Sequence, residues 1–599
     1  MHIIENFNAR VGRIYCYIAE CIWDKEHKMY NKPRISIGHL RGNPPIFVPN
    51  GTFSEILLSD TKEQSAIGSR EREMIDLVNE KYGNSIDLLA SRPAPKPSKQ
   101  GENEVQTARA VFLGPSIVFG GITSRYRIDT ILKKSFGDND SKEILSLAWF
   151  LACEGDALVN SDAWLSHYES PAGRVISSQD VTKLLDRMNQ DGIMSFYKYW
   201  LKEFQGSDDK ILYDLTSISW YGHGINMAAW GHNRDNENLP QVNFALICLR
   251  NTGMPIFAWP LKGSISDVRT LQNTLQLLDK LNYRPNCLMM DRGFASMDNI
   301  SYMLKKKYTF LQALKVNSNW IRNVIDDGRQ VRLRPDSMIK TEERTYYGST
   351  TKCQWVMLKK SNKKGTYSEP EVFVYLCKES KGEKYTAIEG EEIIYQYSCN
   401  VHVLFCQELV GGQWDKFMES LNVEYEQLIA DETAAPADDL KKFFIIEKQK
   451  WARRRSVDFN MEQINRHRNN YVGHICLITN DKTVISAEDA LREYSTRDYI
   501  EKDFDDMKND LDMRRIRVHT DERMKARLLI QFIAEVYLRE IRIRVRESVA
   551  CKKMTKKQIS SHIKSICKIK FAGTYNDVRP ELSRSQREIL DALKIRDSR

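Results

Sequence analysis

The chain has 599 residues, a net charge of +9, and hydrophobic and aromatic contents of 42% and 10%. These proportions are ordinary for globular protein and exclude wholesale disorder, and the length predicts roughly three to five folded units. The twelve cysteines lack the CxxC and Cys/His spacings of zinc sites, and no apolar run approaches the ~18 residues of a membrane span. There is also no signal-like N-terminus and no Gly-x4-Gly-Lys nucleotide loop. These features predict a soluble intracellular protein without an ATP-driven motor.

The first part of the chain divides by pattern into three segments. The pattern of residues 1–90 predicts an accessory unit with β-strands. Residues 91–106 contain three prolines and predict an extended linker. Residues 107–205 predict a helical domain. The clearest strand-like and helical runs are Arg13–Cys21, Arg34–Gly38, Lys142–Glu154 and Ser178–Phe204. The helical domain is a candidate for DNA binding, although no helix-turn-helix pattern stands out in it.

From Lys210 the pattern changes to short apolar strands, and residues 206–320 together with 470–545 predict an α/β domain. The order is three strands, helix, strand, helix and strand, which is typical of a ribonuclease-H-like mixed sheet with flanking helices. The predicted elements are Ile211–Ser217, Val242–Arg250, Met254–Trp259, Ser266–Leu281, Asn286–Asp291, Ser296–Lys306 and Thr309–Lys315. A last strand, His474–Thr479, precedes a helix that carries several charged residues.

Two further segments complete the chain. Residues 321–469 predict a β-rich insertion domain, because alternating Tyr/Val/Thr-rich segments occur in them. These segments are Gln354–Leu358, Glu371–Cys377 and Val401–Cys406. Residues 546–599 predict a basic helical C-terminal region.

Positive charge is concentrated in the second half of the chain. Between Arg514 and Lys570 there are seventeen Lys and Arg residues but only five Asp and Glu residues. Residues 441–468 contain nine basic and three acidic residues. Such concentrated charge suits a polyanion, and counterion release would make the binding sensitive to salt. A solvated basic surface is the alternative interpretation.

Four side chains near residue 500 form the most informative pattern. At about 100° per residue of α-helix, Tyr494, Arg497, Glu501 and Lys508 fall within an arc of roughly 60°. An adjacent arc is apolar and comprises Ile500, Phe504, Met507 and Leu511. One helix is therefore predicted to pack its apolar face against the core. It would present a carboxylate, two cations and a phenol to a cleft.

Two aspartates upstream are candidates to join that carboxylate. Asp214 lies inside the first predicted strand, where an acidic residue is costly unless it is paired or bound to metal. Asp291 ends a later apolar strand, directly before Arg292 and Gly293. The carboxyl ends of such strands are where α/β sheets place reactive groups. Asp291 could instead merely cap the next turn.

Three converging carboxylates repel one another unless a cation neutralises them. Hard oxygen ligands select Mg²⁺ or Mn²⁺, and two such ions ~3.5–4 Å apart serve in-line phosphoryl transfer. Asp214, Asp291 and Glu501 are therefore the predicted catalytic and metal-binding residues, with two ions expected per site.

With these motifs in place, the chain resembles DDE-type transposases of bacterial insertion sequences. The resemblance is to the branch with a Tyr-x2-Arg-x3-Glu-x6-Lys signature, which Tyr494, Arg497, Glu501 and Lys508 meet without a gap. The strings 213–216 and 291–294 resemble the first and second aspartate motifs of the family, and the β-rich insertion matches as well. The resemblance covers residues 210–545. It implies a metal-binding triad of two aspartates and Glu501, with Tyr494, Arg497 and Lys508 contacting DNA backbone beside the cleaved end.

Further DNA contacts are expected from positive charge. They are Arg292, Arg453, Arg454 and Arg455. A solvated helix is the alternative for the last three. Some relatives cut the second strand through a hairpin and hold a flipped base on a tryptophan of the insertion. Trp355, Trp414 and Trp451 are the candidates here, and nothing in the sequence selects among them.

The resemblance implies an enzyme that binds the terminal inverted repeats of its element, cleaves the ends and joins them to target DNA. The expected partner is double-stranded DNA, bound by a homodimer because each end requires a catalytic centre. Neither a membrane nor a nucleotide cofactor is expected, and the implied location is the bacterial cytoplasm, at the nucleoid. Two alternatives remain open: a ribonuclease-H-like nuclease without strand transfer, and a domesticated DNA-binding protein.

Overall fold

The computed structural model describes residues 1–8, 13–20, 22–24, 29–31, 34–42, 44–50, 53–54, 56–57, 68–87, 109–206, 210–231, 237–316, 318–328, 330, 334–360, 371–379, 384–431, 433–438, 440–448, 455–571 and 577–596. The predicted linker, 91–106, lies outside these ranges. Two compact units result: Met1–Ala110 with Lys568–Arg579, and Val111–Cys567 with Pro580–Arg599. None of the helices in the described ranges is both long and apolar enough to cross a membrane.

The smaller unit contains a four-stranded antiparallel sheet. Its strands are β1 (His2–Asn8), β2 (Arg13–Ala19), β5 (Arg34–Arg41) and β6 (Ile46–Pro49), paired in that order, beside a short hairpin of β3 (Ile22–Asp24) and β4 (Met29–Asn31). Helix α1 (Ser69–Tyr82) buries Met74, Ile75 and Val78. The rings of Phe47 and Tyr82 stack with centroids 4.6 Å apart. Both predicted strands are present, as β2 and β5.

Residues 111–206 of the larger unit are helical, as predicted. After the strand β7 (Arg109–Phe112) come α2 (Gly114–Tyr126), α3 (Ile128–Phe136), α4 (Asp138–Glu154), α5 (Ser161–His167), α6 (Ser178–Arg187) and α7 (Gln190–Lys202). The single helix predicted over Ser178–Phe204 is wrong, since α6 and α7 are separate. Asn189 causes the break, because its Oδ1 accepts a bond from the Gly192 amide at 2.9 Å and caps α7.

A ten-stranded mixed sheet forms the centre of the larger unit. Its first five strands are β8 (Ile211–Ser219), β9 (Gln241–Leu249), β10 (Pro255–Lys262), β11 (Leu288–Met290) and β12 (Phe310–Leu314). Helices α8 (Asp267–Lys280) and α9 (Met297–Lys305) lie between β10, β11 and β12 in the chain. This is the predicted order of three strands, helix, strand, helix and strand. The sheet is antiparallel at β8–β9–β10 and parallel at β8–β11–β12.

The strands predicted for the insertion continue this same sheet. After α10 (Arg322–Gly328) come β13 (Met338–Lys340), β14 (Thr345–Lys360), β15 (Glu371–Lys378) and β16 (Glu391–Phe405). The sheet order is β10-β9-β8-β11-β12-β19-β16-β14-β13, with β15 paired to β14 and with β19 spanning His474–Thr479. β19 pairs antiparallel with β12 on one side and with β16 on the other. The described β-rich segment is thus joined to the sheet that carries Asp214.

The rest of the predicted insertion has a small core of its own. It contains α11 (Val410–Ala430), the hairpin β17 (Phe444–Lys448) and β18 (Arg455–Phe459), and α12 (Met461–Asn470). The buried side chains of this core are Leu421, Leu428, Phe443, Phe444 and Ile464.

Five helices follow β19 in the described part of the chain. They are α13 (Ala487–Ser495), α14 (Asp498–Asp510), α15 (Asp521–Glu547), α16 (Lys556–Lys564) and α17 (Arg584–Ala592), with the strand β20 (Cys567–Lys570) between the last two. α15 packs against α4 and β10 and is buried on most of its surface. α14, which carries Glu501, contacts the central strand β8 of the sheet and also α15.

Candidate active site

The two predicted aspartates lie on neighbouring central strands of the sheet. β8 and β11 are parallel neighbours, with Leu212 opposite Met289 and Tyr213 opposite Met290. The same register carried one residue further places Asp214 beside Asp291. Parallel strands lie ≈ 4.8 Å apart, so the two carboxylates share one local environment. Both side chains are half-buried.

The signature residues lie on two consecutive helices, and the prediction of one helix is wrong. α13 ends at Ser495 and α14 begins at Asp498. At the junction the Arg497 amide donates to the Tyr494 carbonyl, and the Ile500 amide donates to the Arg497 carbonyl, each at 3.1 Å. These i→i+3 bonds tighten the chain without leaving the right-handed region. The helical spacing is therefore nearly kept, and Tyr494, Arg497 and Glu501 still reach one another.

Arg497 links the acidic residues. Its Nη1 lies 2.7 Å from Asp291 Oδ1, and its Nη2 contacts the Glu501 carboxylate. Burial alone would lower the pKa of Arg497, but Tyr494, Asp291, Asp214 and Glu501 together raise it. All three predicted carboxylates therefore act on a single guanidinium, which is 18% exposed.

Tyr494 and Gln312 hold Asp291 in place. The Tyr494 hydroxyl donates to Asp291 Oδ1 at 3.1 Å, and burial followed by the charge of Asp291 raises the pKa of this phenol. Fully buried Gln312, on β12, donates from Nε2 to the Asp291 carbonyl oxygen. Sequence reasoning missed Gln312. Its only sequence signal is a polar residue inside an apolar strand.

A cavity of about 280 Å³ opens beside these groups. Its lining includes Asp291, Arg292, Gln413, His474, Tyr494 and Arg497. Gln413 comes from α11 and accepts a bond from the Gly473 amide at 2.8 Å, so part of the predicted insertion contributes to the wall. Neither Gln413 nor His474 was predicted, because only the β16–β19 pairing brings them here.

A second acidic group lies nearby but is already neutralised. Among the described residues, Asp503, Asp506 and Glu535 are the acids whose oxygens all lie within 4.8 Å of one another. Their partners are Arg539, 2.9 Å from Asp503, and Arg542 and Lys556, which both contact Asp506. Asp503 and Asp506 are both buried.

Burial acts in the same direction on two acids of this cluster. Burial raises the pKa of Asp503 to about 6 against the lowering effect of Arg539. Burial raises the pKa of Glu535 well above its usual range, and neither of its oxygens has a hydrogen-bond partner. Arg539, Arg542 and Lys556 already supply one cation for each of the three acids, which leaves no charge for a divalent ion to balance. We therefore interpret this buried ion cluster as a structural support beneath α14.

The other predicted DNA contacts have different surroundings. Arg292 is exposed at the mouth of the cavity. Ser219 and Arg515 lower the pKa of Glu237, and the charge of Lys508, which is half-buried on α14, adds to their effect. Arg455 donates to the carbonyls of Leu428, Asp431 and Ala434. These bonds hold its guanidinium at the end of α11, and its contact with DNA stays a prediction. Arg453 and Arg454 lie outside the described residues.

The tryptophans that are candidates for holding a flipped base differ in their burial and contacts. Trp355 is fully buried, and its Nε1 donates to the Ser301 hydroxyl at 3.0 Å, so it is a core residue. Trp414 is half-buried on α11, with the Arg468 guanidinium 5.2 Å from its ring centroid. Trp451 lies outside the described residues.

The carboxylate site, defined as Asp214, Asp291 and Glu501, suits a hard divalent cation by its donor set. Its oxygens are not as close together as those of the buried ion cluster, since they do not form a group within 4.8 Å in the described chain. Arg497 instead bridges Asp291 and Glu501. A cation is thus already held where these carboxylates face one another, which supports the fit of the site to positive charge.

Two aspartates at adjacent strands, tied through arginine to a glutamate on a packed helix, define a site suited to phosphoryl transfer. Residues 205–536, more than half of the chain, match the model of the transposase DDE domain, and the chain belongs to this family of DNA transposases. No curated protein matches the chain.

One solved structure that matches is the cryo-EM structure of a piggyBac transposase synaptic complex with hairpin DNA. The identity is 12% and the TM-score is 0.24, and the match covers 46% of this chain and 62% of that chain. The chain therefore spans less than two thirds of the protein that it matches.

Proposed function

We propose that this transposase binds the terminal inverted repeats of a bacterial insertion sequence, cleaves the ends and joins them to target DNA. The observation that carries the proposal is the contact of Arg497 with Asp291 and Glu501, beside Asp214. Through this guanidinium, acidic residues from widely separated chain segments act on one place beside the central strands β8 and β11. The spacing of Tyr494, Arg497, Glu501 and Lys508 supports the proposal that the chain belongs to the branch named after those residues.

We assign Asp214, Asp291 and Glu501 as ligands of Mg²⁺ or Mn²⁺, with two ions per site. When bound, the ions supply charge neutralisation and Lewis acidity for in-line displacement at phosphorus. The half-buried aspartates fix the geometry, and Gln312 holds the backbone of Asp291. Arg497 is well placed to exchange its carboxylate partners for a phosphate oxygen, because both ligands accept the same guanidinium geometry. Tyr494, Lys508 and Arg292 would hold the DNA backbone around it.

We further propose the division of labour along the chain. The helical segment 107–205 would read the DNA ends, residues 206–320 and 470–545 would perform the chemistry, and 321–469 would complete the site, with 1–90 and 546–599 as accessory regions. Because each end of an element needs one catalytic centre, the working form would be a homodimer on double-stranded DNA.

A cleavage and strand-transfer assay tests the proposal. The substrate is a labelled DNA duplex that carries the inverted repeats found on either side of the gene. Asp214→Asn and Glu501→Gln should lower cleavage by more than about a hundredfold, because removal even of a residue that supports a metal ligand costs 10–100-fold. DNA binding should be largely kept. Asp505→Asn is the matched control, since Asp505 is exposed on the same helix.

The same assay separates the alternatives. Cleavage without joined product would indicate a nuclease that lacks strand transfer. A wild-type protein that binds the ends without cutting them, and that Asp214→Asn does not alter, would indicate a domesticated DNA-binding protein. Metal dependence is read by adding a chelator and then restoring Mg²⁺ or Mn²⁺.

A further inference from the structure

An exposed aromatic ring lies just beyond the strand that carries Asp214. Tyr221 follows β8 by two residues, and it is 65% exposed. The Arg515 guanidinium lies 5.0 Å from its ring centroid, within the range of a cation–π interaction. Arg515 is in turn paired with Glu237. One side of the ring is therefore covered by a positive charge, and its remaining surface is open.

The ring is held by tight backbone packing. The Ile516 amide donates to the Ser219 carbonyl at 3.3 Å, which ties the Arg515 segment to the end of β8. Three residues after Tyr221, Gly224 has φ of +106° and lies so close to His519 that a Cβ atom would come within 2.5 Å of the His519 carbonyl oxygen. Only glycine fits there without strain. The platform, defined as Tyr221 and Arg515, is therefore a fixed surface.

The platform lies in line with the carboxylate site. α14 packs along β8, with Arg497 near Asp291 at its start and the Ser219–Arg515 bridge beyond its end. From Asp214 to Ser219 the strand rises about 16 Å at 3.3 Å per residue. From Glu501 to Lys508 the helix rises about 10 Å. Lys508 therefore lies between the site and the platform, where its charge already acts on Glu237.

The surroundings of the platform are cationic. Besides Arg515 and Lys508, Arg514 is exposed and Arg517 pairs with Asp512 close by in the chain. A DNA strand that follows α14 from the carboxylate site would meet these charges with its phosphates. Duplex DNA hides the faces of its bases, so the part of a DNA molecule that can stack on an open tyrosine ring is an unstacked base. Stacking on an aromatic ring tolerates any base, because every base has a π-face.

We propose that Tyr221, backed by Arg515, stacks on an unpaired base of the DNA strand that leaves the carboxylate site. This inference rests on the proposed transposase function and extends it to single-stranded DNA near the cleaved end. Tyr221 is then a positioning residue: it holds the strand that the carboxylates act on, and it touches no reacting atom.

Two synthetic probes test the inference. One is a blunt DNA duplex, and the other is the same duplex with a short oligo-dT overhang that contains 2-aminopurine. Both are bound by Asp214→Asn protein with Mg²⁺ present, so that the DNA stays intact. We expect tighter binding of the overhang probe and quenched 2-aminopurine fluorescence. Tyr221→Ala should lose at least about fivefold of that preference, the lower end of the loss for one stacked base, and should relieve the quenching.

Control variants make the result specific. Tyr221→Phe keeps the ring and should keep the preference. Phe7→Ala is the matched control, because Phe7 is also an exposed aromatic ring, at 62%, and lies on β1 of the accessory region. Neither change should alter binding of the blunt duplex.

Several outcomes would overturn the inference. Equal affinity of the two probes, or equal loss for both in Tyr221→Ala, would show that the ring does not stack on a base. A shift of the monomer–dimer equilibrium in Tyr221→Ala, with the overhang preference unchanged, would assign the platform to a protein interface. Binding of neither probe by the parent protein would reject the proposed function as well, which keeps the two failures distinguishable.

Discussion

Replacing Arg497 with alanine tests whether its guanidinium holds the place of a divalent cation. Arg497 is 18% exposed and pairs with Asp291 at 2.7 Å and with Glu501, which are 31% and 53% exposed. One solvent-accessible ion pair contributes about 0.2–1 kcal/mol, and charge-assisted forked geometry lies at the upper end. A metal ion that displaces Arg497 must therefore overcome two such pairs, or about 1–2 kcal/mol.

Without that competitor, the apparent affinity for Mn²⁺ in the absence of DNA should rise by roughly 5- to 30-fold. The free ion is measured by electron paramagnetic resonance during a titration. Arg497→Lys keeps the positive charge and should change the affinity much less. Arg492→Ala is the matched control, because Arg492 is 65% exposed on α13 and pairs with Asp489 away from the carboxylate site.

The expected rise in Mn²⁺ affinity should accompany a loss of DNA cleavage, since the phosphate would lose its partner. Unchanged or weaker Mn²⁺ binding in Arg497→Ala would refute the reasoning. It would mean that Arg497 organises the carboxylates for the ion and does not compete with it.

Two further predictions concern stability. Asp503→Asn should lower the free energy of unfolding by about 3–5 kcal/mol, because it leaves the Arg539 guanidinium buried without a counter-charge. Glu535→Gln should lower the free energy of unfolding by less than about 1 kcal/mol, because burial, which raises the pKa of Glu535, already disfavours the charged carboxylate; similar losses of denaturation midpoint in both variants would contradict this. Burial lowers the pKa of His402 from 6.5 to about 4, so its contribution is complete above pH 6.5 and is lost as the pH falls toward 4. Between pH 7 and pH 5 the wild type should lose about 2 kcal/mol that His402→Gln does not lose, and equal acid sensitivity in unfolding experiments would exclude His402 as the cause.

The meeting of the two aspartates could be predicted from the sequence. Apolar runs with one acid in the first strand and one at the end of the fourth predict adjacent strands once the ribonuclease-H-like order is assumed. The strand boundaries differ from the prediction by only a few residues, as in β8 (Ile211–Ser219). The signature spacing also held, because the bend at Arg497 keeps a nearly helical path.

Contacts across distant segments could not be predicted in this way. The acids at 503 and 506 look like a solvated helix face, and only the packing of α15 brings Arg539 and Arg542 onto them. Gln312 is an isolated polar residue whose partner is a backbone carbonyl, which has no sequence signature. The role of Arg455 was missed for the same reason, since its partners are three main-chain oxygens.

The double pairing of β19 has a consequence for shortened forms of the protein. One side of this strand is covered by β12 and the other by β16. A truncation that removed residues 338–405 would strip one flank of β19 and expose a row of unpaired amides and carbonyls next to Ile475, Leu477 and other apolar side chains. Such a bare strand edge promotes aggregation. The β-rich segment is therefore no removable cassette, and a minimal catalytic fragment has to retain it.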